Sequence, residues 1–374
     1  ISLLCLEQVS TTLGLSKFLT VCLFLEILVQ IPFNIWSTEQ RYKFEYRSLI
    51  FVTCIIALAS PLLGVFAVIC TPYKAEARII SNLIVNLIVG LILFISIQKQ
   101  GKKFFSKKYW TFGFRFNIIL VPHYLSTQIL NQADRIMINS MCGSSDAGIY
   151  SVAYNFSLLL SLVTNGINSS LTPYIYQCLK EENTKKLKKS ITIIVLLVAV
   201  FSAVFICFIP DLFILLLPAS YLPALRVIPP VTVGAFFLFL YPLFGSIEFY
   251  YEETKYVTYA SVIGAGMNVL LNYIFIKIFG FIAAAYTTLF CYLGFSTFHY
   301  FFMMKILKQH KAENNIYNIK SISAISFGLI FFSLIMVLLY EHTVLRWSII
   351  LIVLVAIGTK RKQIFVLFQE FKKG

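Results

Sequence analysis

The sequence has 374 residues, of which 59% are hydrophobic and 13% charged, and its mean hydropathy is +0.83. A soluble domain is roughly 45–50% apolar and 25% charged, so no soluble core could absorb this much apolar surface, and a polytopic membrane protein is the class that remains. A net charge of +15 would suit a nucleic-acid binder only on a folded basic face; here the lysines and arginines cluster between apolar runs, so nucleic acid is not an expected partner.

The first residues, ISLLCLEQVSTT, read as the tail of a helix rather than a targeting signal, and the chain is expected to lack the N-terminus of its parent. From there, apolar runs of about 20 residues, the length that crosses ~30 Å of hydrocarbon, recur between short polar breaks. They predict an all-α fold with about eleven spans, near 14–35, 48–70, 76–97, 112–138, 147–172, 190–209, 226–250, 256–276, 280–304, 321–340 and 344–358. The eight cysteines are scattered, without a CxxC pair, and read as small hydrophobic residues of the core.

Alternate breaks carry the positive charge. The set at 41–47, 99–108, 180–189, Lys255, 305–320 and 360–373 holds 23 lysines and arginines; the opposite set holds five, Lys74, Arg78, Arg226, Lys277 and Arg346. Because lysine and arginine in short loops stay on the cytoplasmic side, this asymmetry orients the chain with its C-terminus in the cytoplasm. An internal repeat is also legible. Ile31 to Tyr46 aligns with Tyr241 to Tyr259, Pro32 falling on Pro242 and each copy being followed by a helix, a very short outer turn and another helix. Two related halves of this kind are a common plan for transporters.

Ionisable groups inside spans are the candidates for chemistry, since Arg, Lys or Asp at mid-helix costs about 2.5–3.5 kcal/mol even on the mild insertion scale. Span 112–138 is the richest. Gln128, Asn131 and Arg135 are spaced i, i+3, i+7 on one face, Asp134 adjoins them, and Pro122 interrupts the backbone ladder, where a kink is expected. The stripe either lines a wet cavity in which Arg135 holds an anion, or sits at the outer interface for topology alone. Arg115, near the cytoplasmic end, is explained equally by snorkelling to headgroups. Lys17, Glu26, Arg78, Arg226 and Glu248 carry the same ambiguity. The candidate substrate contacts are therefore Gln128, Asn131, Asp134, Arg135, Arg115 and Lys17. In the next span, Tyr150, Tyr154, Asn155, Asn165, Asn168 and Ser169 fit helix-packing glue or a sugar-lining wall. There is no phosphate-binding glycine loop, HExxH or GxSxG, and His123, His299, His310 and His342 are dispersed, so the sequence predicts neither an enzyme, a cofactor nor a metal site.

The stretch Asp134-Arg135-Ile136-Met137-Ile138-Asn139, followed by Ala147-Gly148-Ile149-Tyr150-Ser151-Val152-Ala153-Tyr154, resembles the Wzx-type flippases of bacterial polysaccharide assembly, members of the multidrug/oligosaccharidyl-lipid/polysaccharide exporter superfamily. Gly280 to Thr288 is similar to that family's second element, with Ile282-Ala283 where a glycine is common, and Ser144-Ser145 depart in the outer loop. The resemblance implies two six-helix bundles plus two C-terminal helices. Residues 1–97 would be the rest of the first bundle, 98–111 a basic linker, 112–304 the second bundle, 305–320 a basic loop and 321–374 the two extra helices and tail. It also implies an undecaprenyl-pyrophosphate-linked oligosaccharide substrate, flipped across the bacterial cytoplasmic membrane by alternating access for O-antigen, capsule or exopolysaccharide. Membrane lipids, and a polysaccharide polymerase and chain-length regulator, are the partners it suggests. The rivals are a cation-coupled multidrug exporter of the same superfamily and, from another class, a membrane polymerase or acyltransferase.

Overall fold

The structure, a computed structural model, describes residues 6–13, 16–102 and 105–359. Cys5, Lys103 and the basic tail from Lys360 onward lie outside the described residues. Everything regular among the described residues is helical. The chain divides into two compact units between Thr111 and Phe112.

The first unit contains α1 (Leu6–Leu13), α2 (Lys17–Tyr42), α3 (Tyr46–Cys70) and α4 (Lys74–Gly101). The second contains most of α5 (Lys107–Met141), then α6 (Ser144–Lys180), α7 (Thr184–Leu216), a 3-10 segment (Ala219–Arg226), α8 (Ile228–Tyr250), α9 (Thr254–Phe279), α10 (Ile282–Gln309), α11 (Ile319–Leu339) and α12 (Thr343–Thr359). Each predicted span falls on one of α2 to α12. Eight of these helices are long and apolar enough to cross a membrane on those grounds alone. Of the other three, α5 and α10 are long but rich in polar groups, and α12 is short. Helix ends run past the predicted spans because 37 residues of α6 rise ~55 Å, well beyond a ~30 Å hydrocarbon layer.

Four interhelical turns share one closure. After α2, α6, α8 and α10 the chain passes through Phe44, Glu182, Glu252 and Lys311, each with φ between 52° and 58°. The following residue's N–H donates to the carbonyl five residues back, as in Glu45 to Gln40, Asn183 to Cys178, Glu253 to Glu248 and Ala312 to Leu307. This is the Schellman closure, which satisfies helix-end carbonyls and reverses the chain within a few residues. These are the turns on the predicted cytoplasmic side. On the opposite side, Gly143 (φ 99°) and Gly280 (φ 73°) reach backbone conformations that a glycine adopts without strain.

Within the first unit, α4 packs against both α2 and α3, which touch each other little; within the second, α10 packs in the same way against α8 and α9. These are the helices of the aligned repeat. In lipid, apolar side chains give no hydrophobic drive for helices to associate, so close approach and hydrogen bonds carry the packing. In the first unit Asn82 of α4 donates to Glu26 of α2 and accepts from the Ser60 hydroxyl of α3, while Arg78 donates to the Ser60 carbonyl at 3.1 Å. A methyl on Gly90 would lie 2.5 Å from the Val29 carbonyl oxygen, so the approach of α4 to α2 depends on that glycine.

The second unit is built around α8, which is apolar all round and is packed by α6, α7, α10 and α11. Cys178, Cys207 and Cys291 are buried in this core; Cys54 and Cys70 lie instead on the exposed surface of α3, a correction to a uniform core reading of the cysteines. Helix α5 runs unbroken through Pro122. Near that proline the Ile119 carbonyl accepts from the Thr258 hydroxyl of α9 at 2.5 Å, which ties the two helices together.

Candidate functional site

Four helices of the second unit, α5, α6, α8 and α10, enclose a cleft of about 350 Å³. From α5 it is lined by Thr127, Gln128, Leu130, Asn131, Gln132 and Arg135. Thus the stripe that the i, i+3, i+7 spacing put on one face does face one cavity. Opposite stand Tyr154, Ser161, Thr164 and Asn165 of α6, with Tyr241 of α8 and Tyr292 and Phe295 of α10. No Asp or Glu lines it among the described residues, so its polar wall is amide, hydroxyl and guanidinium.

Arg135 and Asp134 are neighbours in sequence but serve opposite sides of α5. Asp134 is fully buried, away from the cleft: its Oδ2 accepts from the Tyr150 hydroxyl at 2.5 Å and its Oδ1 from the backbone N–H of Arg135 at 2.9 Å. The Arg135 guanidinium lies 4.3 Å over the Tyr154 ring, and its Nε is buried with no hydrogen-bond partner. An aromatic face holds a guanidinium by its charge, and the Nε–H of Arg135 is left as a donor without a protein acceptor. Tyr292 closes the floor, within 3.3 Å of the Tyr154 hydroxyl, the Leu130 carbonyl and the Asn131 side chain. The Asp-Arg pair and the Ala-Gly-Ile-Tyr-Ser-Val-Ala-Tyr run are therefore one interlocked unit, with one tyrosine under the carboxylate and the other under the guanidinium.

The second sequence element has a packing role. After Gly280, Ala284 and Ala285 are fully buried, and Thr287 and Thr288 bond with Asn272 and Asn268 of α9. Small residues and interhelical hydrogen bonds are what close approach in lipid requires.

The remaining candidates lie apart. Arg115 is exposed on the first turns of α5 and does not line the cleft. Lys17 belongs to the first unit, where it pairs with Glu7 at 2.5 Å with both side chains exposed. The amide-rich face of α6 divides: Tyr154 and Asn165 line the cleft, Asn168 donates to the Phe239 carbonyl at 3.3 Å, Ser169 bonds within its own helix, and Asn155 is exposed.

Two features escaped the sequence reading. Tyr241, Tyr292 and Phe295 of the cleft sit in spans whose composition is ordinary for lipid, and only the packing of α8 and α10 turns them inward. Arg346, 1% exposed, makes a two-pronged ion pair with Asp211, both contacts at 3.0 Å, and donates to the Cys207 carbonyl, tying α12 to α7. Its position in a short outer break gave no sign of burial.

Comparison with known proteins gives two overlapping family matches. The polysaccharide biosynthesis protein family matches residues 4–179, and the MatE family matches residues 120–274. A protein of the Lsg locus of Haemophilus influenzae is 30% identical over 112 residues, 29% of this chain and 28% of that one. The Man(5)GlcNAc(2)-PP-dolichol translocation protein RFT1 of Saccharomyces cerevisiae is 37% identical over 68 residues, 18% of this chain and 12% of its own length. The matched stretches thus span under a third of these relatives. Among solved structures, the lipid II flippase MurJ in its inward closed conformation aligns with a TM-score of 0.44 at 16% identity, over 82% of this chain and 67% of that one.

Proposed function

From its membership in the multidrug/oligosaccharidyl-lipid/polysaccharide exporter superfamily, we propose that this multi-pass membrane protein is a flippase for lipid-linked oligosaccharides. Its substrate is an undecaprenyl-pyrophosphate-linked repeat unit, carried across the bacterial cytoplasmic membrane for O-antigen, capsule or exopolysaccharide synthesis.

The observation that carries the proposal is the chemistry of the cleft. A pyrophosphate needs a cation whose donors are free, and Arg135 has its Nε unpartnered. Sugar hydroxyls need amides and hydroxyls, which Gln128, Asn131, Gln132, Ser161, Thr164 and Asn165 supply. Sugar rings stack on aromatic faces, and the half-buried Tyr241 of the cleft wall offers one. The polyprenyl tail stays in lipid, and translocation proceeds by alternating access with no covalent step. The name of the yeast relative, which joins an oligosaccharide, a pyrophosphate and a polyprenol, supports the same substrate class. Against the drug-exporter alternative stands the lack of a lining carboxylate among the described residues, because a cationic drug has nothing there to pair with. A polysaccharide polymerase and a chain-length regulator are the proposed neighbours in the membrane.

The test is glycan rescue in a bacterium lacking its own polysaccharide flippase, scored as surface polymer by gel and lectin. The full-length protein restores polymer, Arg135→Ala loses most of it and Arg135→Lys retains part. Export of cationic dyes with lipid-linked sugar left in the inner leaflet would overturn the reading.

A further inference from the structure

Behind the cleft, Glu248 of α8 and His299 of α10 form a pair that nothing above requires. Both side chains are 0% exposed, and Glu248 Oε1 lies 2.8 Å from His299 Nδ1. The second oxygen, Glu248 Oε2, and the second ring nitrogen, His299 Nε2, are buried and have no hydrogen-bond partner. A pair kept only to pin two helices would be expected to have its outer atoms satisfied as well, since each buried orphan costs about 1–3 kcal/mol. The neighbouring imidazole, His123 of α5, bonds with the Ser261 hydroxyl of α9.

The pair also shares a wall with the cleft. The His299 ring centroid is 5.2 Å from that of Tyr241 and 4.6 Å from that of Phe295, and both of those rings line the cleft. A change in the charge of the pair therefore acts directly on two cleft side chains.

We propose that Glu248 and His299 form a proton-binding site coupled to the cleft. With His299 Nδ1–H donating to Glu248 Oε1, the unloaded pair carries one negative charge and leaves two bare lone pairs, on Oε2 and Nε2. One proton, taken from water when the site opens, adds to either atom and makes the pair neutral, as a carboxylic acid beside imidazole or as an imidazolium carboxylate. Release to water on the other side restores the negative charge. Intramembrane ionisable groups that pair in a helix interior are the usual carriers of protons in transporters. The other titratable groups around the pair are His123 and Tyr124 of α5 and Tyr241 of α8. No second carboxylate is among them.

This inference does not depend on the identity of the substrate, and its test needs none. The full chain is reconstituted in phosphatidylethanolamine/phosphatidylglycerol vesicles, and infrared difference spectra are recorded between about pH 5 and 8, the histidine range. Wild type shows coupled carboxyl and imidazole bands; E248Q loses the carboxyl band, H299Q loses the imidazole band, and E248D, which keeps the acid, shifts the carboxyl band without losing it. In parallel, in a chain whose native cysteines are replaced by serine, a cysteine at Ser161 in the cleft wall reports on coupling through its thiol-labelling rate. Labelling in the S161C chain depends on pH beyond the thiol's own titration, and in S161C/E248Q that excess is lost. Spectra of wild type and E248D without a pH-dependent carboxyl band would overturn the proposal. So would cleft labelling whose pH dependence is the same in both backgrounds. Failure of glycan rescue with intact infrared bands would reject the substrate and leave the proton site standing.

Discussion

The carboxylate of Asp134 is 0% exposed and has a donor on each oxygen, the Tyr150 hydroxyl and the Arg135 amide. Tyr150→Phe removes the first and is expected to destabilise the fold by about 1–3 kcal/mol. Asp134→Asn keeps an acceptor for the same hydroxyl and is expected to cost less. Denaturation in detergent compares the two, and a Tyr150→Phe protein as stable as wild type would mean that this bond contributes nothing. At Gly90 the expectation is steric. Gly90→Ala puts a methyl against the Val29 carbonyl, so α4 must move off α2, which should lower the thermal midpoint by more than the same substitution at Gly113, where nothing lies within 4 Å.

At the scale of the element, the four Schellman turns place residues other than glycine in the left-handed region, at a cost of roughly 1–2 kcal/mol each. Glu182 and Lys311 are exposed. Replacing either by glycine should stabilise the protein by up to about 1 kcal/mol, less than the full relief because glycine gains freedom in the unfolded chain. An unchanged or lower unfolding midpoint would show that these side chains make contacts worth as much as the strain. Helix α12 is held differently, by Arg346 on Asp211 and the Cys207 carbonyl. Arg346→Ala strips both partners and should free α12 to proteolysis near Thr343, whereas Asp211→Asn, at a site 30% exposed, should do so less, since the Cys207 bond remains.

For the whole molecule the charge asymmetry makes a sidedness prediction. With the native cysteines replaced by serine, a membrane-impermeant thiol reagent should label Ser144→Cys, at the first residue of α6, in intact cells, and should reach Glu181→Cys, just after α6, only once the membrane is permeabilised. The opposite pattern would invert the topology. Those two positions bound a single helix, α6, so the result also reports whether that helix crosses the bilayer.

The membrane class, the helical fold and the position of each long helix were all legible in the sequence, because bilayer thickness fixes span length and short basic loops punctuate it. The i, i+3, i+7 spacing likewise placed Gln128, Asn131 and Arg135 together, since helical periodicity is a local property. What tertiary structure alone decided was which neighbours these residues meet. Asp134 and Arg135, adjacent in the chain, diverge to a buried tyrosine and an open cleft, while Glu248 finds His299, and Arg346 finds Asp211, across more than fifty and a hundred positions. Such pairings depend on the rotation of each helix about its axis, and in lipid that rotation is set by close packing and a few hydrogen bonds. A hydropathy pattern that is apolar on every side does not encode it.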